Sequence, residues 1–525
     1  MKSLISLYNI NLIKWILLII STISFLLQIF IFSDDLNIIS CLIILISSYI
    51  AFSYIFKYET IQTYPISCLM ILGYTIYYFF LPPIATFLES KPVINNLLLP
   101  TTTLLHSSIG LLTLIMTHFL YKKLYIFTII KSYIRNLYQN LGAFTTLQFN
   151  NIIVICIITL LSQVISIIFK NSKDGSFILK FLDGINYFIF LPYILIAPSL
   201  VRVNNRRGLF LIYFSLIILI LGAVVNGRSF IFIGYANLLI LYFFLSIYGK
   251  NSLKITKNNI TKIISIITFL LIIIEPATKL AISMALARSI RDEATPIEIL
   301  SETYYRYKSI DNVSEIIQTF EDLHFQEDTW DEHYVNNPFF GRLCNLKYAD
   351  NIFVINQSLT TEDKELTKKQ EIAKTFSILP QPIISLLNIP VNKEEATSGS
   401  MGDFLFFLTG GINEIEGSRT GSLIGTLFIV FDWAYPVFLG ILTLGVYIIG
   451  DSYIIFKSSD KTPIFSPIAF LSFYPFLFFF TSSALGMESI SGLLSFVLRG
   501  SIQTPIIYFI LIRFSLFFLK TFKIR

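Results

Sequence analysis

Five arginines stand where a membrane protein ordinarily avoids them. Arg228 closes the tight turn Asn226-Gly227-Arg228 between two apolar runs. Arg288 and Arg291 end another run three residues apart, Arg419 lies in Gly417-Ser418-Arg419-Thr420-Gly421, and Arg499 opens the last run. A spacing of three puts Arg288 and Arg291 on one helix face. A guanidinium is a planar fork that grips a phosphate through paired hydrogen bonds. One such arginine suits snorkelling to headgroups or pairing with an acid equally well. Five converging on one side of a membrane suit a lipid-linked diphosphate.

Proton carriers are fewer. Glu488 precedes Arg499 by eleven positions, Asp403 lies in Gly402-Asp403-Phe404-Leu405, and His333 follows the acidic run Glu327-Asp328-Thr329-Trp330-Asp331-Glu332, with His324 just before it. Each is a candidate general base for a sugar hydroxyl, histidine because it titrates near neutrality. A solvated acidic loop explains the histidines equally simply. Asp432 falls within an apolar run. Glu275 and Lys279, at i and i+4 in another run, form either a self-neutralising ion pair or a functional intramembrane charge. The histidine spacing is no zinc motif, and Asp-x-Asp, Walker and Rossmann glycine patterns are missing from the sequence. The expectation is therefore chemistry without metal, cofactor or nucleotide.

The elements that position these residues follow from composition. Apolar residues make up 54% of the 525 and charged residues only 14%, with mean hydropathy +0.72, far from a soluble chain. The apolar residues fall in blocks of about twenty, the length that crosses a hydrocarbon core of roughly 30 Å. Spans are predicted at 12–32, 36–56, 65–85, 104–121, 151–169, 183–201, 209–225, 229–248, 260–287, 421–449, 464–484 and 500–519. The first run is too long for a signal peptide and has no small-residue cleavage site. Pro82-Pro83, Pro192, Pro198, Pro276 and Pro436 should kink helices, as membrane helices tolerate. With the N-terminus inside, the short inner loops hold 13 Lys and Arg and the opposite short loops hold 6, so the positive-inside rule puts both termini in the cytoplasm. Cys41, Cys68 and Cys156 fall inside spans and Cys344 outside, which leaves no disulfide framework.

The segment 288–419 breaks this pattern. It carries 22 Asp and Glu against 12 Lys and Arg, a net charge of −10, while the remainder has 11 acids and 27 bases, a net of +16. The predicted fold class is an all-α polytopic membrane protein of about twelve transmembrane helices, with one large periplasmic loop or cap between spans 9 and 10. Residues 1–287 carry spans 1–9, 288–419 the loop, and 420–525 spans 10–12. A loop after span 9 argues against two matched six-span halves.

The chain resembles the bacterial O-antigen or capsule repeat-unit polymerases of the Wzy type. The likeness rests on topology and on sparse motifs over most of the chain. These are Leu69 to Pro83 with Lys91-Pro92 and His106, then Asn226-Gly227-Arg228, and Glu275-Pro276 leading to Ala287-Arg288-Ser289-Ile290-Arg291. Asn337-Pro338-Phe339-Phe340-Gly341-Arg342, Gly402-Asp403-Phe404-Leu405, Gly417 to Ser422, and Glu488 to Arg499 follow. The outer loop is somewhat longer than in a typical member.

The resemblance implies a GT-C-like glycosyltransferase of the bacterial inner membrane. Such an enzyme joins undecaprenyl-diphosphate-linked oligosaccharide units on the periplasmic face into O-antigen, capsular or exopolysaccharide. Arg228, Arg288, Arg291, Arg419 and Arg499 would bind the diphosphate, and Glu488, Asp403 and His333 are the candidates for the base. The implied partners are the lipid-linked oligosaccharide, membrane lipid and a polysaccharide chain-length regulator, with no nucleic acid. An O-antigen ligase, transferring the same glycan to lipid A core, is the nearest alternative. A lipid-linked oligosaccharide flippase is opposed by the long outer loop.

Overall fold

The computed structural model describes residues 2–168, 177–196, 208–224, 228–249, 276, 278–280, 282–284, 286–287, 296–310, 330–412, 415, 419–456, 463–481 and 488–521. Arg288, Arg291, Glu275 and His324 lie outside the described residues.

The described chain is overwhelmingly helical, and among the described residues seven helical stretches are long and apolar enough to cross a membrane. Apart from the short helix Tyr58–Thr63, the first helices in order are α1 (Lys2–Ile31), α2 (Asp35–Ile55), α3 (Pro65–Leu88), α4 (Pro100–Lys123), α5 (Tyr125–Asn140) and α6 (Phe149–Ile168). Three shorter apolar helices follow, α7 (Phe181–Ile196), α8 (Gly208–Val224) and α9 (Arg228–Ile247). The acidic segment contributes α10 (Pro296–Ser309), α11 (Leu346–Ser358), α12 (Thr361–Ser377) and α13 (Met401–Leu408). The chain closes with α14 (Leu423–Phe431), α15 (Tyr435–Ser452), α16 (Pro467–Leu477) and α17 (Ile490–Thr521). The described residues thus form an all-α membrane protein, with one antiparallel ribbon among them, β1 (Ile454–Phe456) against β2 (Pro463–Phe465) with Ile455 opposite Ile464.

α3 is the most enclosed of the long apolar helices. It lies hard against α16 because Gly73 has no side chain. A Cβ there would stand 1.8 Å from the Leu477 carbonyl oxygen, and small residues permit such backbone approach between apolar helices. Pro82 and Pro83 lack amide hydrogens, and the helix widens into a π-turn at Ile76–Phe80 just before them. The Tyr77 carbonyl accepts instead from the Asn345 amide at 3.1 Å, and Asn345 Nδ2 donates to the Phe480 carbonyl at 2.9 Å. A residue of the acidic segment thereby repairs the helix that the prolines open.

α4 and α15 pack side by side, His106 meeting Tyr435 at one end and His118 meeting Tyr447 towards the other. At the latter end the Asp451 carboxylate accepts from Ser67 Oγ at 2.7 Å and from the Ile66 and Ser67 amides at 3.2 and 3.3 Å. His118 Nε2 lies 2.9 Å from Ser67 Oγ, and its Nδ1 lies 2.7 Å from the Tyr54 hydroxyl.

α5 is the element that hydropathy alone does not reveal. Lys131 and Tyr138 are buried on its inner side, Lys131 Nζ lying 4.4 Å from the Tyr64 ring centre. Its outer side exposes Tyr125, Ile126, Ile129, Ile130, Tyr133 and Leu137. Those positions fall on one helical face.

Candidate functional site

The acidic segment packs back onto the bundle. Asp350 is fully buried and accepts from the Leu98 and Leu99 amides, both at 2.8 Å, and from Thr103 Oγ1 at 3.2 Å, so it caps the start of α4. Glu89 receives the Asn336 and Asn337 amides at 2.8 and 2.7 Å, and Lys91 donates to Asn336. The Lys91-Pro92 and Asn337-Pro338 motifs are therefore neighbours.

A second junction gathers charge. α13 starts with a capping box. Asp403 Oδ2 accepts from the Ser400 amide at 3.0 Å and from its hydroxyl at 2.7 Å, and Ser400 Oγ receives the Asp403 amide at 2.8 Å. Asp403 Oδ1 holds Arg419 twice, through its backbone amide and through Nη1, both at 3.2 Å. The guanidinium also lies over the Phe406 ring, 4.9 Å from its centre. Gly402 allows this: a Cβ there would meet the Arg419 carbonyl oxygen at 2.4 Å.

Glu488 completes the junction. Its Oε1 accepts from the Met401 amide at 3.0 Å and its Oε2 from the Gly421 amide at 2.7 Å. One carboxylate thus bridges the start of α13 and the approach to α14. Burial raises its pKa, and the nearby Asp403 pushes the same way, while the two amides and Lys374 oppose them.

α12 supplies Glu371 and Lys374, which the sequence reading did not single out. Lys374 Nζ donates to the Gly399 carbonyl at 2.6 Å. Glu371 is 3% exposed. Its Oε2 receives the Ser491 amide at 3.2 Å, and its Oε1 has no hydrogen-bond partner among the described residues. Burial pushes its carboxyl up to about 7, against the pull of the Ser491 amide and Lys374. Glu332 receives the Thr420 hydroxyl at 3.3 Å, beside Arg419.

Asp403, Arg419 and Glu488 therefore come together, although 85 positions separate the first from the last. His333 follows Glu332, the residue that receives the Thr420 hydroxyl. It sits exposed, its Nδ1 2.9 Å from Asp331 Oδ1, and that bond raises its pKa. Arg228 begins α9 and Arg499 lies in the π-turn Phe496–Gly500, with their side chains outside the described residues.

The arrangement divides labour chemically. All of the Asp403 carboxylate is engaged by donors, which suits it to hold Arg419 rather than to accept a proton. Glu488 and Glu371 are buried carboxyls that take up protons more readily than surface acids do, the property a general base working near neutrality needs. Among the described residues, no group of three or more His, Cys, Asp or Glu is placed to hold a metal ion. Comparison of the chain with protein-family models, with curated proteins and with solved structures gave no match.

Proposed function

We propose that the chain is a membrane glycosyltransferase that polymerises oligosaccharide repeat units carried on undecaprenyl diphosphate. In this reading about twelve spans cross the bacterial inner membrane, both termini are cytoplasmic, and the acidic segment is periplasmic. The observation that supports it is the Asp403–Arg419–Glu488 junction, in which Asp403 holds the Arg419 guanidinium and the buried Glu488 carboxyl receives the Met401 and Gly421 amides of the same two stretches.

In the reaction, a hydroxyl of the acceptor sugar attacks the anomeric carbon of the donor. The bond from that carbon to the diphosphate oxygen breaks, and undecaprenyl diphosphate leaves with the electron pair. Arg419, with Arg228, Arg288, Arg291 and Arg499, stabilises the charge developing on the diphosphate, the electrostatic contribution that is usually largest. The attacking hydroxyl passes its proton to a carboxylate, for which Glu488 and Glu371 are the best supported candidates. His333 is the more exposed alternative. The donor bond supplies the driving force, so the reading needs no nucleotide.

The test is a gel of surface polysaccharide from the host with this gene deleted, complemented by wild type or by Arg419→Ala. The expected result is a core bearing a single repeat unit in the deletion, a ladder with wild type, and no ladder with the variant. A deletion strain in which no repeat unit reaches the core would replace the polymerase reading with a ligase or a flippase. An unchanged ladder would remove the gene from the pathway.

A further inference from the structure

The apolar run that ends α14 does not continue straight into α15. It breaks at Asp432, which has φ +48° and ψ −139°, a strained conformation that side-chain-bearing residues rarely adopt. The turn Asp432–Ala434 is exposed. The Asp432 carboxylate has no side-chain partner among the described residues. An unpaired exposed carboxylate fixes this turn in water or headgroups rather than among acyl chains.

Beside it the Trp433 ring is 66% exposed. Its inner face is supported by His106, ring centres 5.3 Å apart and planes 31° apart, and by the edge contact with Phe428 at 5.7 Å. His106 is fixed in turn by the Tyr435 hydroxyl, 3.1 Å from Nδ1, and by stacking on Phe353 of the acidic segment at 4.7 Å. The outer face of the indole is thus presented on a rigid support with a carboxylate at its rim. Below it on the same side of α15, Val437 and Ile441 are exposed and apolar. From Gly421, at the charged junction, to Asp432 the chain runs eleven residues, roughly 16 Å at the rise of a helix.

A pyranose ring matches this surface. It has an apolar C–H face that stacks on an indole and a rim of hydroxyls that donate to a carboxylate, so it uses both the body of the aromatic and the charge beside it. We propose that Trp433 and Asp432 form a sugar-binding subsite for the saccharide of a lipid-linked glycan, one or more residues away from the bond being made, with the prenyl chain lying along the Val437–Ile441 side of α15. The proposal rests on the glycan-polymerase reading and deepens it. A tryptophan serving only as an anchor at the membrane boundary would explain the exposed ring, but it requires neither the strained Asp432 nor the unpaired carboxylate.

The test uses the full-length protein in nanodiscs. The probe is the free oligosaccharide released by mild acid from the host's own lipid-linked repeat unit, followed by saturation-transfer NMR. Wild type should bind it. Trp433→Leu should weaken binding about tenfold or more, Asp432→Asn severalfold, and Trp433→Phe less than Trp433→Leu. Asparagine matches aspartate in size and carries the same backbone strain at this position, so the change removes the charge and leaves the shape of the turn. Arg419→Ala should leave this binding nearly intact. Equal binding by wild type and Trp433→Leu, or none by wild type, overturns the subsite. The gene-deletion gel decides the polymerase reading separately, since a deletion that leaves the ladder unchanged removes that reading whatever the nanodiscs show.

Discussion

The Glu488 side chain accepts the backbone amide of Met401 at 3.0 Å across 87 positions of sequence. That bond joins the turn before the last long helix to the first residue of a helix in the acidic segment. The same carboxylate reaches the Gly421 amide, so one side chain fixes three stretches of chain that the sequence keeps apart.

Glu488→Gln should damage both fold and activity. The amide retains one acceptor oxygen but turns an NH2 group towards the other backbone amide, leaving that donor unsatisfied. The expected cost is about 1–3 kcal/mol, read as a lower thermal midpoint in detergent, together with loss of the polysaccharide ladder.

Arg419→Ala should destabilise the protein less than it lowers function. Asp403 keeps the Ser400 amide and hydroxyl and the Arg419 backbone amide, so the expected stability loss is only about 1–2 kcal/mol, while no ladder forms. Arg419→Lys should restore part of the ladder, because it returns the charge without the planar fork. Full polymer from Arg419→Ala would remove this arginine from the reaction.

Glu371 should make the docking of α12 depend on pH. Its carboxyl is raised from 4.5 to about 7 in the fold, so the folded state holds the proton more tightly than the unfolded chain does. This contribution to stability is fully present below 4.5, falls as pH rises through 7, and is then exhausted. The shift amounts to roughly 3 kcal/mol. Glu371→Gln should flatten the profile between pH 5 and 8, measured as the rate of proteolysis within 361–420. An equally steep profile in the variant would place the titration elsewhere.

Gly73→Ala should prevent assembly of the bundle. The added methyl meets the Leu477 carbonyl at 1.8 Å, backbone against backbone, and neither helix has a flexible side chain there that can yield. The expected outcome is little protein in the membrane fraction, while Gly445→Ala, whose Cβ would meet only a Val497 methyl at 4.0 Å, accumulates normally.

The long apolar helices were legible because a run of twenty apolar residues has few other uses. The helices at 4–31, 35–55, 65–88, 100–123 and 149–168 lie on the runs predicted there. α5 escaped notice because its apolar residues alternate with polar ones at helical spacing, which lowers mean hydropathy while building a strong face. α12 escaped for a related reason: Thr-Glu-Asp-Lys-Glu-Leu-Thr-Lys-Lys-Gln-Glu reads as a solvated surface, and the burial of Glu371 depends on contacts with Ser491, 120 residues away. Asp403 and Arg419 were visible as unusual residues beside glycines. Their mutual bond was not, because nothing in spacing alone brings Asp403 onto Arg419.

α5 has a mechanical consequence. Lys131 and Tyr138 clamp it to the ends of the bundle, and its opposite face is apolar and exposed, as Met116, Phe119 and Leu120 are on α4. An exposed apolar face opposite a buried lysine and tyrosine makes α5 amphipathic, the pattern of a helix that covers a bundle on one side and meets an apolar surrounding on the other. α5 packs against α15, and Ser452 Oγ donates to the Lys131 carbonyl at 3.3 Å, so this exposed face and the Asp451 end of α15 belong to one packed unit.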